Sequence, residues 1–373
     1  MILEIKRYFD YARKNLFHRN RLNFLILYIT SKCNLSCGSC FFHQNLNQPK
    51  DLSLEEYEKI ASSITPFSIL ALAGGEPFLN PDLEKICALF VEKGKIDTLF
   101  IPTNGTFPEQ IAEKTERLLK KFPDISLSIN PSLDGLADYH DRNRGSKGTF
   151  EKCNQAIEKL TELKKKYKNL QVIVNTVISQ DNLEEMEKLM EFLKKYALDF
   201  QAFELIRGNF PDKNLILPNI EEIKKIHQKI LKNRHYYLTK NKSRSGNKLF
   251  FLVEEIMTLG VLRYSQKFKE LALAGKRWPL ACPAGRTIFV INPDGNFGAC
   301  ELQPPLADLK QFDFNLKRLL KNEEVSQAIE TIGKKKCDCT HICFIHSAIA
   351  GHPPAIFKII SSYFQAKKII KKC

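Results

Sequence analysis

The sequence predicts an α/β fold in which a partial (β/α)6 TIM-like barrel precedes a small cysteine-rich domain. The first observation is a regular alternation of short runs rich in β-branched and aromatic residues with helical patterns. The second is that unusual residues follow these runs, since α/β barrels carry function on the loops after their strands. The third is that the 11 cysteines are largely clustered instead of dispersed.

Local signals place the elements of the barrel. Ser53 and Glu56 predict a capping box for a helix that reaches residue 63. Asn80-Pro81 predicts the start of the next helix, with Pro at the first helical position. Further helices are predicted at 108–121, 149–167 and 182–196. The predicted strands are 24–30, 67–73, 98–102, 125–131, 170–178 and 199–206.

The 373 residues suggest about two domains on a prior of roughly 150 residues each. Segments of different composition flank and separate these two domains. The predicted organisation is a basic N-terminal arm at 1–22, the barrel at 23–208, a basic helical insertion at 209–281, the cysteine-rich domain at 282–345 and a basic amphipathic helix at 346–373.

Composition predicts a globular protein of a reducing compartment. No apolar run approaches the about 20 residues that span a bilayer, and the N-terminus lacks the apolar core of a signal peptide, so a cytoplasmic protein is expected. Clustered cysteines favour metal binding over disulfides. The net charge of +15 permits an acidic partner; a membrane surface at the basic termini is one such partner, and no specific nucleic acid is predicted.

The loop after the first strand holds Cys33, Cys37 and Cys40 in Cys-x3-Cys-x2-Cys spacing. Three thiolates can hold three irons of a cubane [4Fe-4S] cluster, which normally takes four Cys. No fourth Cys follows nearby, so one iron would stay open. A zinc loop is the alternative, although structural zinc takes four closed ligands.

This cysteine loop resembles the cluster loop of the radical S-adenosylmethionine (SAM) superfamily, in which the open iron binds the amino and carboxylate groups of SAM. Gly74-Gly75-Glu76-Pro77, one βα unit later, resembles the family motif that contacts the SAM amino group. An acid there can accept hydrogen bonds from an ammonium. The family often has an aromatic before the third Cys; here Ser39 stands there, and Phe42 is expected near the adenine. The joint match favours this family over zinc.

Further residues are assigned to the SAM site by the same resemblance. His140 and Asp141, in the loop after the fourth strand, are either an acid and base or a pair that rigidifies the loop; no catalytic residue is assigned. A planar guanidinium suits a carboxylate, so Arg144 is expected to pair with that of SAM. The assigned residues are Asn104 beside SAM, Ser132 at its carboxylate or ribose, Asp134 in the Ser-x-Asp-Gly motif, Arg144, and Asn175 near the ribose.

Cysteine arithmetic limits the C-terminal region to one further cluster. Removing the three loop cysteines and Cys87 and Cys153, inside predicted helices, leaves six, whereas two protein-ligated clusters need about eight. A hairpin would bring the first two of the six together. The six are Cys282, Cys300, Cys337, Cys339, Cys343 and Cys373.

The C-terminal region resembles the auxiliary-cluster domain of SPASM/Twitch radical SAM enzymes. This resemblance implies one auxiliary [4Fe-4S] cluster, with Cys282 and Cys300 as ligands. Two of Cys337, Cys339 and Cys343 would complete the set, and the sequence leaves open which two. A zinc ion is the alternative at this site, because four Cys suit it as well.

The resemblance implies reductive cleavage of SAM to a 5'-deoxyadenosyl radical that abstracts a hydrogen atom from a substrate. A reductant such as flavodoxin or ferredoxin is expected as partner. Two substrate classes stay open, namely a peptide and a small metabolite, with the auxiliary cluster assisting electron transfer. The alternative from another class is a non-enzymatic iron-sulfur or zinc protein at a membrane surface or nucleic acid, against which the intact SAM motifs argue.

The last segment predicts an amphipathic helix. Ile356, Ile359, Ile360, Tyr363 and Phe364 recur at helical spacing and share one face, and lysines follow. Such a helix can lie in an anionic membrane interface. The same face can equally pack onto the barrel as ordinary core, and both interpretations stay open.

Overall fold

A computed structural model describes residues 7, 10–15, 21–241, 248–334 and 339–371. Cys337, one of the predicted cluster ligands, and Cys373 lie outside the described residues. The described part of the chain forms one nine-stranded sheet with helices packed against it.

The strands follow the order β6-β5-β4-β3-β2-β1-β7-β8-β9 across the sheet. The first six are parallel and sequential, with helices between them, which confirms the predicted partial barrel. β8 and β9 are antiparallel to their neighbours. The strands are β1 Phe24–Tyr28, β2 Ile69–Ala73, β3 Thr98–Thr103, β4 Ser126–Pro131, β5 Leu170–Ile178, β6 Phe200–Leu205, β7 Ile288–Ile291, β8 Asn296–Gly298 and β9 Ala307–Asp308.

The helices are numbered α1 to α12 in chain order. Short 3-10 turns occur at His43–Asn45, Pro77–Leu79, Gln180–Glu185 and Leu309–Phe312. The helices are α1 Leu54–Ser63, α2 Leu83–Glu92, α3 Pro108–Lys121, α4 Ala137–Arg144, α5 Thr149–Lys166, α6 Met186–Leu193, α7 Ile220–Lys240, α8 Lys248–Leu273, α9 Leu316–Leu319, α10 Glu323–Lys334, α11 Ile342–Ala350 and α12 Ala355–Lys371.

Of the two predicted helix starts, the one at Ser53 is confirmed and the one at Pro81 is wrong. Ser53 and Glu56 form the reciprocal capping box of α1, as predicted. The expectation that Pro81 opens α2 was wrong, because that helix begins at Leu83. The Asn80 side chain accepts a hydrogen bond from the Asp82 backbone N–H at 2.8 Å, and this Asx turn holds the chain outside the helix.

Alternation along β1 separates two cores. Leu25 and Leu27 face the outer core, which lies between the sheet and the surrounding helices. Ile26 and Tyr28 face the inner core, where residues of β7 and α11 pack against them. C-terminal segments therefore lie against the inner face of the barrel sheet.

β7 extends the barrel sheet beyond the six predicted strands. Phe24 of β1 pairs in parallel with Ile288, and Leu27 pairs with Ile291. The first strand of the segment predicted as a separate domain thus continues the same sheet. The division at residues 208, 281 and 345 remains a prediction.

α12 packs along α8 with only part of its apolar surface. Ile359 and Tyr363 are buried, and the Tyr363 hydroxyl donates to Glu255 of α8 at 2.8 Å. Ile356, Ile360 and Phe364 of the predicted apolar face stay exposed. In the ranges that the structure describes, no helix has the length and hydropathy needed to cross a membrane.

Candidate functional site

The cysteine loop begins at the C-terminal end of β1 and is fixed by the segment that precedes α1. Asp51 accepts hydrogen bonds from the Thr30 hydroxyl at 2.6 Å and from the Ser31 backbone N–H at 2.8 Å. The side-chain oxygen of Asn47 accepts from the Cys33 N–H at 3.0 Å. Asp51 and Asn47 were missed at the sequence level, since nothing in their spacing ties them to the loop.

The three loop thiols suit an iron-sulfur cluster in donor chemistry and placement. Burial, and then the neighbouring Cys37, raises the pKa of Cys40 to about 11, and burial also raises that of Cys33. These thiols therefore release protons when a metal binds. Within the described ranges, no three His, Cys, Asp or Glu side chains converge on a single metal ion. A cubane spreads its ligands over separate irons, so such convergence is not required.

The glycine pair after β2 allows this second loop to lie directly on the cysteine loop. Gly75 N donates to the Thr30 carbonyl at 2.9 Å, and Glu76 N donates to the Lys32 carbonyl at 2.8 Å. A Cβ on Gly75 would meet the Lys32 carbonyl oxygen at 2.2 Å, and Gly74 has φ of +143°. Both positions therefore require glycine.

The Glu76 carboxylate is buried and connects the loops after β2 and β3. It is 1% exposed and accepts from the Asn104 N–H at 2.6 Å and the Phe78 N–H at 3.1 Å. Burial raises its pKa to about 7. A cation placed beside it would favour the ionised form. The predicted contact with the SAM ammonium stays a prediction.

Glu76→Gln is expected to weaken SAM binding by roughly 1.5–3 kcal/mol, the range for a hydrogen bond to a charged group. The amide lacks the negative charge of the carboxylate. Its NH2 group would also face one of the two backbone N–H groups from which the carboxylate accepts hydrogen bonds. Anaerobic calorimetry with the reconstituted protein measures the change. Glu84→Gln, on the surface of α2, is the matched control; equal affinities for Glu76→Gln and the wild type would contradict the prediction.

The affinity for SAM is also expected to rise with pH through the pKa of Glu76. Below about pH 7 this carboxyl is largely protonated in the free protein, and only its ionised form attracts a cation. Binding would therefore release a proton and strengthen between pH 6 and 8, the ~1 unit on either side in which such a group titrates. Titrations of Glu76→Gln should lose this slope; an unchanged slope would assign it to another group.

Arg144 is held against the cysteine loop by a buried ion pair. Its Nη2 lies 2.8 Å from Oδ2 of Asp134, whose side chain is 1% exposed. The Oδ1 atom of Asp134 accepts from the Val177 N–H at 3.0 Å. Its Nη1 lies 3.7 Å from Cys37 Sγ. Burial opposes the charge of Arg144, yet Asp134 and Cys37 raise its pKa. Its contact with the SAM carboxylate stays a prediction.

Asn143 is a site residue that sequence reasoning missed. Its carbonyl accepts from the Gly38 N–H at 2.7 Å, and its side-chain NH2 donates to Ser39 Oγ at 3.1 Å. The backbone of Asp212, after β6, donates to the Gly38 carbonyl at 3.1 Å. These contacts join α4 and the segment after β6 to the cysteine loop, and no local sequence signal predicts them.

Three more predicted residues lie near the ends of strands: Asn104 and Ser132 directly follow β3 and β4, and Asn175 lies within β5. Asn104 donates from its side chain to Asn34 Oδ1 in the cysteine loop at 2.9 Å. Ser132 and Asn175 form a parallel bridge at the end of β4, and both are half-buried. The structure brings these positions to one edge of the sheet. Their assigned contacts with SAM stay predictions.

Phe42 and His140 are buried inside the protein, and Asp141 binds backbone groups of a nearby loop. Phe42 is buried in the inner core and stacks on Tyr28 with ring centroids 4.4 Å apart; its adenine contact stays a prediction. His140 is fully buried, and burial lowers its pKa to about 3. Asp141 accepts from the Gly148 and Phe150 backbone N–H groups at 2.6 and 2.8 Å. These contacts favour the loop-rigidifying interpretation of Asp141.

Four of the predicted auxiliary ligands pack against the inner core. Their side chains are half-buried. Cys300 Sγ accepts from the Leu302 N–H at 3.4 Å, and Trp278 donates from its ring to the Cys339 carbonyl at 3.1 Å. Burial raises the pKa of Cys343 to about 12. The four are Cys282, Cys300, Cys339 and Cys343.

A buried polar network around Glu301 lies between the two cysteine-containing regions. Glu301 accepts from the Tyr28 hydroxyl at 2.5 Å, contacts His341 Nε2 and lies 4.0 Å from Arg207 Nη2. Burial alone would raise the pKa of Glu301, but these neighbours lower it to about 2. The Arg207 guanidinium stands 5.0 Å from the centroid of the Phe41 ring.

This network joins the first and last strands of the six-stranded barrel. Tyr28 ends β1, and Arg207 follows β6, while Glu301 adjoins Cys300. Beside it is a cavity of about 160 Å³, lined by Tyr28, Phe41 and Glu301 among others. The sequence contains one weak signal for this network: the carboxylate of Glu301 directly follows Cys300, a predicted cluster ligand.

Comparison with known proteins agrees with this geometry. The profile of the radical SAM superfamily matches residues 27–193. The AdoMet-dependent heme synthase of Methanosarcina barkeri is 31% identical over 194 residues, 50% of this chain and 52% of that protein. The sporulation killing factor maturation protein SkfB of Bacillus subtilis is 28% identical over 167 residues, 44% of this chain and 38% of that protein. The chain thus matches about half or less of the length of these relatives.

Solved structures share the fold over nearly the whole chain. Native anSMEcpe with bound AdoMet and Cp18Cys peptide gives a TM-score of 0.56 at 20% identity, covering 94% of this chain and 98% of that one. Streptococcus suis SuiB bound to precursor peptide SuiA gives 0.54 at 17% identity, covering 87% and 70%. At this identity the likeness concerns the fold.

The three-thiol loop, the glycine loop that lies on it and the matching profile agree that residues 27–193 form a radical SAM domain. Members of this superfamily use a [4Fe-4S] cluster and SAM. The residues present fit both groups: three thiols for the cluster, and a buried carboxylate and strand-end polar groups for SAM.

Proposed function

We propose that the chain is a radical SAM enzyme that reductively cleaves SAM and abstracts a hydrogen atom from a peptide. The observation that carries this proposal is the direct backbone contact between the cysteine loop and the Gly74-Gly75 loop. Because of this contact, the proposed cluster ligands and Glu76, which is assigned to SAM, would act side by side. Cluster and SAM together would supply an electron and a carbon radical, which no side chain provides.

The chain's own residues would bind and orient these groups. Cys33, Cys37 and Cys40 would hold the cluster, and the backbone of the glycine loop would admit SAM closely. Glu76 would attract the cationic end of SAM, with its carboxylate held in place by Asn104. Arg144 would keep positive charge beside Cys37.

A peptide is the favoured substrate class because structures of this fold have been solved with peptides bound. The cavity beside Phe41 and Glu301 would receive a side chain of that peptide near the cysteine loop. A small metabolite is the second candidate. The names of several curated relatives, a GTP 3',8-cyclase and a heme synthase among them, favour it.

We also propose an auxiliary [4Fe-4S] cluster at the C-terminal cysteines. The support is the packing of four half-buried thiols against one core and the N–H donated to Cys300 Sγ, a contact that tunes iron-sulfur clusters. The Glu301 network would hold this region in place against β1 and β6. The cluster would assist electron transfer, and a flavodoxin or ferredoxin would supply the first electron.

Substrate-dependent product formation tests the proposed function. Anaerobically reconstituted protein, SAM and a chemical reductant are expected to give 5'-deoxyadenosine slowly, and faster when the right substrate class is added. Mass spectrometry of a peptide library and of a metabolite extract then shows which class changes mass. Acceleration by metabolites alone would overturn the peptide assignment, and no 5'-deoxyadenosine under any condition would overturn the enzyme.

Iron content tests the auxiliary cluster. Cys282→Ala combined with Cys300→Ala is expected to lower bound iron from about eight to about four per chain, because each cubane holds four irons. Cys87→Ala, a buried cysteine of α2, is the matched control and should keep about eight. About four irons and one zinc in the wild type would show that the site holds zinc instead.

A further inference from the structure

α12 leaves a continuous apolar stripe on the surface. Ile356, Phe357, Ile360 and Phe364 are 41%, 74%, 38% and 60% exposed. The positions 356, 360 and 364 are separated by four residues, and 357 and 364 by seven, so the four side chains share one side of the helix. Large aromatic side chains that are so exposed on one face mark an interaction surface.

The stripe is distinct from the face that holds α12 in the fold. Ile359, Tyr363 and Ala366 face α8 and are at most 7% exposed. The Ile359 carbonyl lies 2.5 Å from where a Cβ on Gly260 of α8 would stand, so the two helices approach closely. Because this face already anchors the helix, the exposed stripe is not needed for folding.

Positive charge continues the stripe toward the C-terminal end of α12. Lys368 extends the four-residue series from Phe364, and Lys371 follows Phe364 by seven residues, so both lie on the side of the stripe. Both are exposed. Lys367 differs, because it pairs with Glu255 at 2.7 Å. α12 itself contains no Asp or Glu.

We propose that this side of α12 docks the protein on an anionic lipid surface, with the stripe in the interface and Lys368 and Lys371 among the headgroups. Exposed phenylalanines beside lysines are the composition of helices that lie in the plane of a membrane. Anionic headgroups match the unbalanced positive charge. This inference goes beyond the proposed function, since it concerns a surface that takes no part in SAM chemistry.

Vesicle co-sedimentation of the full chain tests the proposal. The wild type is expected to sediment with vesicles that contain phosphatidylglycerol and much less with pure phosphatidylcholine. Phe357→Ser combined with Phe364→Ser should lower the partition coefficient at least about tenfold, because the variant has lost two rings that would be buried in the interface. Ile216→Ser with Leu217→Ser removes exposed apolar residues elsewhere and should leave binding unchanged.

The lysines supply a second, electrostatic test. Lys368→Gln with Lys371→Gln should weaken binding about tenfold at low salt, and the difference should vanish near 1 M salt, where the Debye length is ~3 Å. Light scattering of the wild type and the variants without lipid measures self-association. Lack of binding to anionic vesicles, binding unaffected by the Phe pair, or self-association abolished by the same Phe pair would each overturn the proposal, the last by assigning the stripe to a second copy. Circular dichroism confirms that each variant is folded.

Discussion

Replacing Cys33, Cys37 and Cys40 together by Ala is expected to remove about four of about eight irons and to abolish 5'-deoxyadenosine formation, because each cubane holds four irons. The three thiols lie on one loop at the end of β1, and burial raises the pKa values of Cys33 and Cys40. Without these ligands, nothing would hold the iron that binds SAM. The effect on activity should therefore be complete.

The variant that lacks Cys282 and Cys300 is the matched comparison, since it should lose the same amount of iron and still cleave SAM. Iron analysis and chromatography of the reaction products, both under anaerobic conditions, measure the two effects. If the triple variant kept all its iron, the assignment of the loop would be wrong. If both variants lost all iron, one cluster would depend on the other.

Arg144→Met is expected to destabilise the protein by about 3–5 kcal/mol, the cost of removing one partner of a buried ion pair. The loss would leave Asp134, 1% exposed, with a buried charge that no cation balances. Chemical unfolding of the reconstituted protein in urea measures the change. The cysteine loop should also loosen, because Arg144 reaches Cys37.

Arg117→Met provides the matched control on the surface. Arg117 binds Glu84 through two hydrogen bonds of 2.8 and 3.0 Å, yet its side chain is 53% exposed. Surface pairs contribute about 0–1 kcal/mol, so the control should unfold close to the wild type. Equal unfolding midpoints for the two variants would show that the burial of the Asp134 pair does not matter.

The barrel could be predicted from the sequence because its strands and helices are local patterns. β5 was placed at both ends, and β1 ended two residues earlier than predicted. The pairing of β7 with β1 could not be predicted, because it joins residues that are more than 260 positions apart. The helix start predicted at Pro81 was wrong for a local reason. The Asn80 side chain accepts a hydrogen bond from the Asp82 N–H, which forms a turn in place of the first turn of the helix.

At the candidate site, motifs predicted which residues gather but not how they contact each other. The glycines and Arg144 were found because their types and spacing are unusual. The burial of Glu76 against Asn104 depends on the packing of two strand ends, which no motif encodes. The Glu301 network is harder still, because Tyr28, Arg207 and His341 come from three distant segments.

Electron paramagnetic resonance of the reduced protein tests the central claim most directly, namely that the cluster of the cysteine loop binds SAM through an open iron. The variant that lacks Cys282 and Cys300 isolates this cluster. Addition of SAM is predicted to change the g-values of its spectrum, because a ligand binds the iron itself. A spectrum that stays the same at saturating SAM would contradict the account.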